Sequence, residues 1–209
     1  MSKQKYFNFK FSNFNNYNDF YVNETNTNAV EGILDNNFEN KFLIGPNKSG
    51  KTFLGNIWLK KNKAINFNKN FNDIINNKKA VFIDDIEKKN NEEEIFHIIN
   101  HCKLYKIKIL VTSNLNINEI NFSLKDLISR LKSFSLYKIE NPDDDMLLKI
   151  LTKLFVDKQF VINSNDIFPY ILKRANRSYE EMIFIVKKLD SLSLEKKRQL
   201  TIPLIKEIL

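Results

Sequence analysis

The eight residues Gly45-Pro46-Asn47-Lys48-Ser49-Gly50-Lys51-Thr52 constrain this chain more than any other feature. They fit the pattern G-x-x-x-x-G-K-[ST], directly after the apolar run KFLI and directly before the helical run FLGNIWLKK. A loop of this kind belongs between a strand and a helix. Its glycines let the backbone turn tightly and aim N–H groups inward, so that phosphates rest at the helix N-terminus. In that arrangement Lys51 reaches the β- and γ-phosphates, Thr52 ligands a magnesium ion, and Gly45, Pro46, Asn47, Lys48, Ser49, Gly50 and Phe53 complete the cradle. Three of the four glycines in the chain, Gly45, Gly50 and Gly55, fall in this stretch, which argues against a chance match. The cofactor expected is ADP or ATP with Mg2+.

The rest of the pattern agrees with such a loop. From Lys41 onward short apolar runs alternate with longer amphipathic ones: KFLI, KAINF at 63–67, AVFID at 80–84, KIKILVTS at 106–113 and SLYKI at 135–139. Strands separated by helix-length segments predict βαβ units and a parallel sheet. The run Asn141-Pro142-Asp143-Asp144-Asp145 breaks the pattern, with Pro ending the last strand and an Asp placed to cap a helix. Beyond it the apolar spacing is helical throughout. The fold expected is α/β, a five-stranded parallel sheet with flanking helices followed by a small all-helical domain. The first 30 or so residues, aromatic and Asn-rich, read as an arm. The divisions expected are an arm over 1–12, the nucleotide-binding domain over 13–141 and the helical domain over 142–209.

Further chemistry sits at the strand ends, where ligands bind in open parallel sheets. AVFIDDIE puts Asp84 where it holds magnesium through water, with Asp85 and Glu87 as alternative candidates to orient an attacking water. KIKILVTSN ends in Thr112, Ser113 and Asn114, of which Asn114 is the candidate to sense a γ-phosphate. DLISRLKSF carries Arg130, one of only four Arg in a Lys-rich chain; it is either an arginine finger or half of a surface ion pair. His97, His101 and Cys102 lie close on one helix but lack a credible fourth zinc ligand.

Composition excludes more than it assigns. The net charge is +8, but the excess of Asn, Lys, Ile and Phe matches an AT-rich coding bias, so basicity alone is discounted as a sign of nucleic-acid binding. The start MSKQKYFNFKF has no uninterrupted apolar stretch, and no later segment reaches transmembrane length, so a cytoplasmic protein is expected, without membrane contact. The single cysteine agrees with a reducing compartment.

Strand, phosphate loop, DD-containing strand, polar strand end, SRL arginine and helical lid, in that order, resemble the DnaA/Hda family of AAA+ proteins. KDLISRL resembles the family box that carries the arginine finger, and the ending LTIPLIKEIL is similar to that of the short, Hda-type members. The resemblance implies an AAA+ core and lid, and Arg130 as the finger. It also implies a short N-terminal motif for the DNA polymerase III sliding clamp (beta), matched here by Gln4, Phe7 and Phe9; the alternative is an aromatic arm packed on its own domain. The partners implied are DnaA and the clamp, with DNA contacted indirectly through them and self-association into a homo-oligomer open. The chain ends after the lid, so no helix-turn-helix for reading an origin is expected. One departure stands out: Glu180 occupies the position of the lid's sensor arginine, with Arg177 one helical turn earlier as a substitute that would reach the nucleotide.

What the resemblance implies is a nucleotide-bound regulator that stimulates hydrolysis of DnaA-bound ATP and so represses re-initiation, acting at the nucleoid through the clamp. The alternatives are a stand-alone AAA+ ATPase that loads or remodels replication proteins, and a DNA-binding module using its Lys surface.

Overall fold

A computed structural model describes residues 20–37, 40–67 and 71–209. Helix α1 (Thr27–Leu34) is followed by β1 (Lys41–Ile44), α2 (Lys51–Lys61), β2 (Ile65–Asn66), α3 (Phe71–Asn77) and β3 (Val81–Ile83). A short 3-10 turn, Ile86–Lys88, leads to α4 (Glu92–Leu104), β4 (Ile109–Ser113), α5 (Lys125–Lys132) and β5 (Ser135–Lys138). The chain ends in α6 (Asp144–Asp157), α7 (Ile167–Arg174), α8 (Tyr179–Lys196) and α9 (Ile202–Lys206).

The five strands form one parallel sheet in the order β2-β3-β4-β1-β5, with Ile44 opposite both Ser113 and Lys138. The apolar runs are continuous because both faces are covered, and the pleat divides each run between two cores. Phe42, Ile44, Val81, Ile83, Ile109 and Val111 face α3, α4 and α5, packing on Ile74, Ile98 and Leu127. Leu43, Phe82 and Leu110 face α1 and α2, packing on Ile33, Leu54 and Trp58. A third core lies within α6 to α9 around Leu151, Phe155, Ile171 and Ile185. The lid begins where the sequence breaks: the Asp143 carboxylate accepts the Met146 N–H at 2.7 Å and caps α6.

The N-terminal reading needs correction. Residues 20–34 are built into the core rather than forming an arm: Ala29, Val30 and Ile33 of α1 are buried against the sheet. The Lys41 ammonium, itself buried, donates to the Gly32 and Asp35 carbonyls at 2.6 and 2.9 Å, satisfying groups that the end of α1 leaves open. Three apolar residues on an eight-residue helix suffice because a neighbouring strand supplies this cap.

Gly55 marks the closest helix-to-sheet approach, since a Cβ there would meet the Phe82 ring at 2.1 Å. Ala would gain about 1 kcal/mol of helix propensity, yet overpacking against a fully buried ring costs about 1–3 kcal/mol and more at such a distance. Gly55→Ala should therefore lower Tm by roughly 3–8 °C in thermal unfolding; an unchanged or raised Tm would show that Phe82 yields freely.

Candidate functional site

The loop predicted to cradle phosphates joins β1 to α2, as its sequence requires. Gly50 stands at the N-cap of α2 with φ 93°, a left-handed conformation that suits glycine, and the ring of Phe20 lies 2.6 Å from where its Cβ would be. Phe20 stacks on Phe53, centroids 5.5 Å apart, so Phe53 supports the loop from the side. Lys48 also adopts positive φ, at 62°. The Ser49 hydroxyl oxygen is buried without a partner, a polar group that an incoming phosphate oxygen would satisfy.

Lys51 is 4% exposed, and its ammonium donates to the Gly45 carbonyl at 2.9 Å, the Pro46 carbonyl at 2.8 Å and Asn114 Oδ1 at 2.7 Å. Burial lowers its pKa, while Asp85, Glu87 and Asp84 oppose that shift. Thr52 Oγ1 donates to Asp84 Oδ2 at 2.8 Å, and Thr112 Oγ1 donates to the other oxygen, Oδ1, at 2.6 Å. A hydroxyl and an oriented carboxylate side by side are the donor set a magnesium ion takes, Thr52 directly and Asp84 through water, so the residues fit that group. The metal would neutralise phosphate charge.

The two candidate carboxylates beside Asp84 are placed differently. Asp85 has φ 49°; its N–H donates to Thr112 Oγ1 at 3.0 Å and its carboxylate is paired with Lys88 at 2.6 Å. Glu87 Oε1 accepts both the backbone N–H of Asn114, at 3.1 Å, and its side-chain amide, while Oε2 is buried without a partner. Glu87, Asn114 and Lys51 thus form one chain of hydrogen bonds, which leaves Glu87 better placed than Asp85. Ser113 takes no part, since its hydroxyl accepts the Leu115 N–H.

The lid approaches the loop with a carboxylate. Asn47 Nδ2 donates to Glu180 Oε1 at 3.1 Å, whereas Arg177 is paired with Asp144 at 2.8 Å and makes no described contact with the loop. The substitute cation read from the sequence is thus engaged within the lid. Arg130 lies in the last turn of α5, half-buried, without an ion pair among the described residues. Gln4, Phe7 and Phe9 lie outside the described residues.

Sequence reasoning missed a cavity of about 200 Å³ between loop and lid, walled by Met146, Ile150, Tyr179 and Ile183 with Tyr21, Lys48 and Gly50 at its rim. Its position beside the phosphate cradle suits a flat aromatic ring. The lining comes from four separate segments whose residues read as ordinary core spacing, so only an aromatic pair upstream of the loop, Phe20 and Tyr21, hinted at it.

Residues 144–209 match the family model for the Hda lid domain. The whole chain is similar in structure to domain III of the Thermotoga maritima replication initiation protein DnaA, at TM-score 0.75 and 17% identity over 96% of this chain and 98% of that one. AMPPCP-bound DnaA from Aquifex aeolicus matches at TM-score 0.66 and 22% identity, over 88% and 69% of the two chains. The Thermotoga maritima RuvB Holliday junction branch migration motor matches at TM-score 0.66 and 16% identity, over 92% and 70%. The parallel sheet, the loop between β1 and α2 and the helical lid give the chain an AAA+ fold. Within that fold, residues 144–209 resemble the lid domain of the Hda family.

No group of three or more potential metal ligands occurs among the described residues, and burial pushes the Cys102 thiol up to about 12. A neutral, 1% exposed thiol is inert. Native protein should therefore leave Ellman's reagent unreacted at pH 8 over an hour and release one thiol per chain in guanidinium; rapid native reaction would show that α4 opens.

Proposed function

We propose that this chain is a nucleotide-bound regulator of replication initiation, which docks on the sliding clamp through Gln4, Phe7 and Phe9 and presents Arg130 to stimulate hydrolysis of ATP held by DnaA. The observation that supports this reading is the combination of a phosphate-type loop, with Thr52 hydrogen-bonded to Asp84, and a lid of the Hda type that offers Glu180, not a cation, to the loop. A protein that keeps nucleotide as a structural ligand needs its loop intact and no positive charge from its own lid. Similar DnaA structures hold AMPPCP, which supports ADP or ATP as the ligand, with Mg2+ at Thr52 and Asp84. The Arg130 guanidinium, without an ion pair among the described residues, is available to a neighbour's phosphates, either on DnaA or in a homo-oligomer. Acting with the clamp would bring the protein to the nucleoid, and no described helix is long and apolar enough to cross a membrane.

A stand-alone ATPase is the second reading. It is favoured by the buried, unpartnered Glu87 Oε2 beside Asn114, a carboxylate oxygen free to orient water.

Single-turnover hydrolysis of DnaA-bound ATP tests the first reading. Adding this protein with clamp loaded on DNA should accelerate hydrolysis at least tenfold. Arg130→Ala should remove the acceleration while leaving the fold and nucleotide binding intact, and a Gln4→Ala/Phe7→Ala variant should lose only the dependence on clamp. Full stimulation by Arg130→Ala would sink the regulator. Turnover by the isolated chain that Lys51→Ala abolishes and Glu180→Arg raises severalfold would establish the second reading instead.

A further inference from the structure

The positive charge of this chain is not spread evenly. In a parallel sheet the turns that lead from helix to strand all lie along one edge, opposite the phosphate site. The turn before β2 carries Lys60, Lys61 and Lys63, that before β3 Lys78 and Lys79, that before β4 Lys103, Lys106 and Lys108, and that before β5 Lys132. No carboxylate occurs in any of these four turns, and none of the nine lysines is ion-paired among the described residues. The segment before β1 differs in carrying carboxylates, Asp35 and Glu39, in its sequence, and there the Leu34 and Asn36 carbonyls accept from Lys61 and Lys108.

Helix dipoles account for part of this, since cations near helix C-termini are favourable. They do not account for Lys63, Lys78, Lys79, Lys106 and Lys108, which lie beyond the helix ends. Three of these, Lys63, Lys78 and Lys106, even adopt positive φ of 49°, 47° and 52°, a conformation that Gly or Asn takes more readily. The turns are in contact: Lys78 Nζ lies 4.9 Å from the centre of the Tyr105 ring, and Tyr105 is 49% exposed.

We propose that this edge is a sequence-independent binding surface for the phosphodiester backbone of a nucleic acid. Five strands about 4.8 Å apart make an edge roughly 20 Å long, enough to face about six phosphates of one strand at roughly 3.4 Å per charge. The charges are all Lys, compact point charges suited to a backbone rather than to the bidentate reading of bases that Arg performs. Tyr105, with the His101 ring 4.6 Å and Lys78 Nζ 4.9 Å from its own ring centre, ties two of the basic turns together. An anionic membrane is a poorer match, because surface-bound proteins lay an amphipathic helix flat on the lipid and here the helices end on the surface. The edge lies a strand length, about 15 Å, from the phosphate loop, so nucleic acid and nucleotide can be held together.

The test is fluorescence anisotropy of labelled 20-nucleotide single strands and 20-base-pair duplexes, titrated with the full chain between 50 and 200 mM salt. Binding of either form by the wild type should weaken steeply with salt. Lys63→Gln/Lys79→Gln/Lys106→Gln should lose at least tenfold in affinity at 50 mM salt and lower the log–log salt slope by about 2–3, with unchanged Tm and nucleotide affinity. Should that variant fold poorly, Lys60→Gln/Lys103→Gln/Lys132→Gln should show the same loss. No binding at 50 mM salt, unchanged affinity and slope in both variants, or binding only to phosphatidylserine vesicles overturns the proposal. None of these lysines serves the nucleotide site or carries Arg130, so either result leaves the regulator reading to its own test.

Discussion

The buried ammonium of Lys51 is the constraint around which the site is organised. Removing such an ion from water costs several kcal/mol unless every proton finds an acceptor, and here two carbonyls of its own loop and the Asn114 side chain supply them. Each acceptor sets a further requirement. Gly45 and Pro46 must turn their carbonyls inward, which Gly50 permits from the left-handed region. Asn114 must stand at the end of a strand adjacent to β1, and its amide must be held so that oxygen, not nitrogen, faces the ammonium; Glu87 does this by accepting from the amide and from the backbone. Burial pushes the Lys51 pKa down, against the opposing pull of Asp85, Glu87 and Asp84. A phosphate is the ligand that would relieve it, replacing neutral carbonyls with a formal negative charge at short range.

The acidic triplet at the start of the lid performs a second organising task. Asp143 caps α6 and also accepts from Asn23, Asp144 pairs with Arg177, and Asp145 accepts from the Tyr21 hydroxyl at 2.6 Å. Three consecutive carboxylates therefore tie the N-terminal segment, the loop before α8 and the helix they open to one place. Apart from the part-buried cap on Met146, these contacts are exposed and screened by solvent. Burial of Met146 and Tyr179 in the core shared with α1 and α2 gives the lid its firmer seat. The cavity beside the loop is a consequence of that seating, since α6 and α8 wall it and Tyr21, Lys48 and Gly50 line it from the other side.

How much of this was legible in the sequence follows from how local each feature is. The strands were read because a sheet covered on both faces needs unbroken apolar runs, and Val81–Ile83 or Ile109–Ser113 can be little else. The loop and Asp84 were read because their chemistry tolerates few residue types. Helix α1 was not, because its three apolar residues sit in an Asn-rich stretch and its end is completed by Lys41 of the next element. The choice between Asp85 and Glu87 was left open for a similar reason: one is in a left-handed turn and paired with Lys88, a matter of backbone geometry that spacing does not carry. The basic edge was hidden by a different cause. Composition counts lysines, but only the sheet order shows that nine of them come to one side while Asp84, Asp85 and Glu92–Glu94 come to the other.

Glu180 and Arg177 show how one helical turn separates two functional readings. Both lie near the start of α8, close to the loop, and a lid closing on phosphates with Arg177 would add positive charge where negative charge develops. Instead Arg177 is spent on Asp144, and the side chain that meets the loop is a carboxylate held by Asn47. A triphosphate brought under that carboxylate would meet a like charge, where a cation would meet an opposite one. A loop built for phosphates beneath a lid that offers a carboxylate favours holding a nucleotide over closing on it.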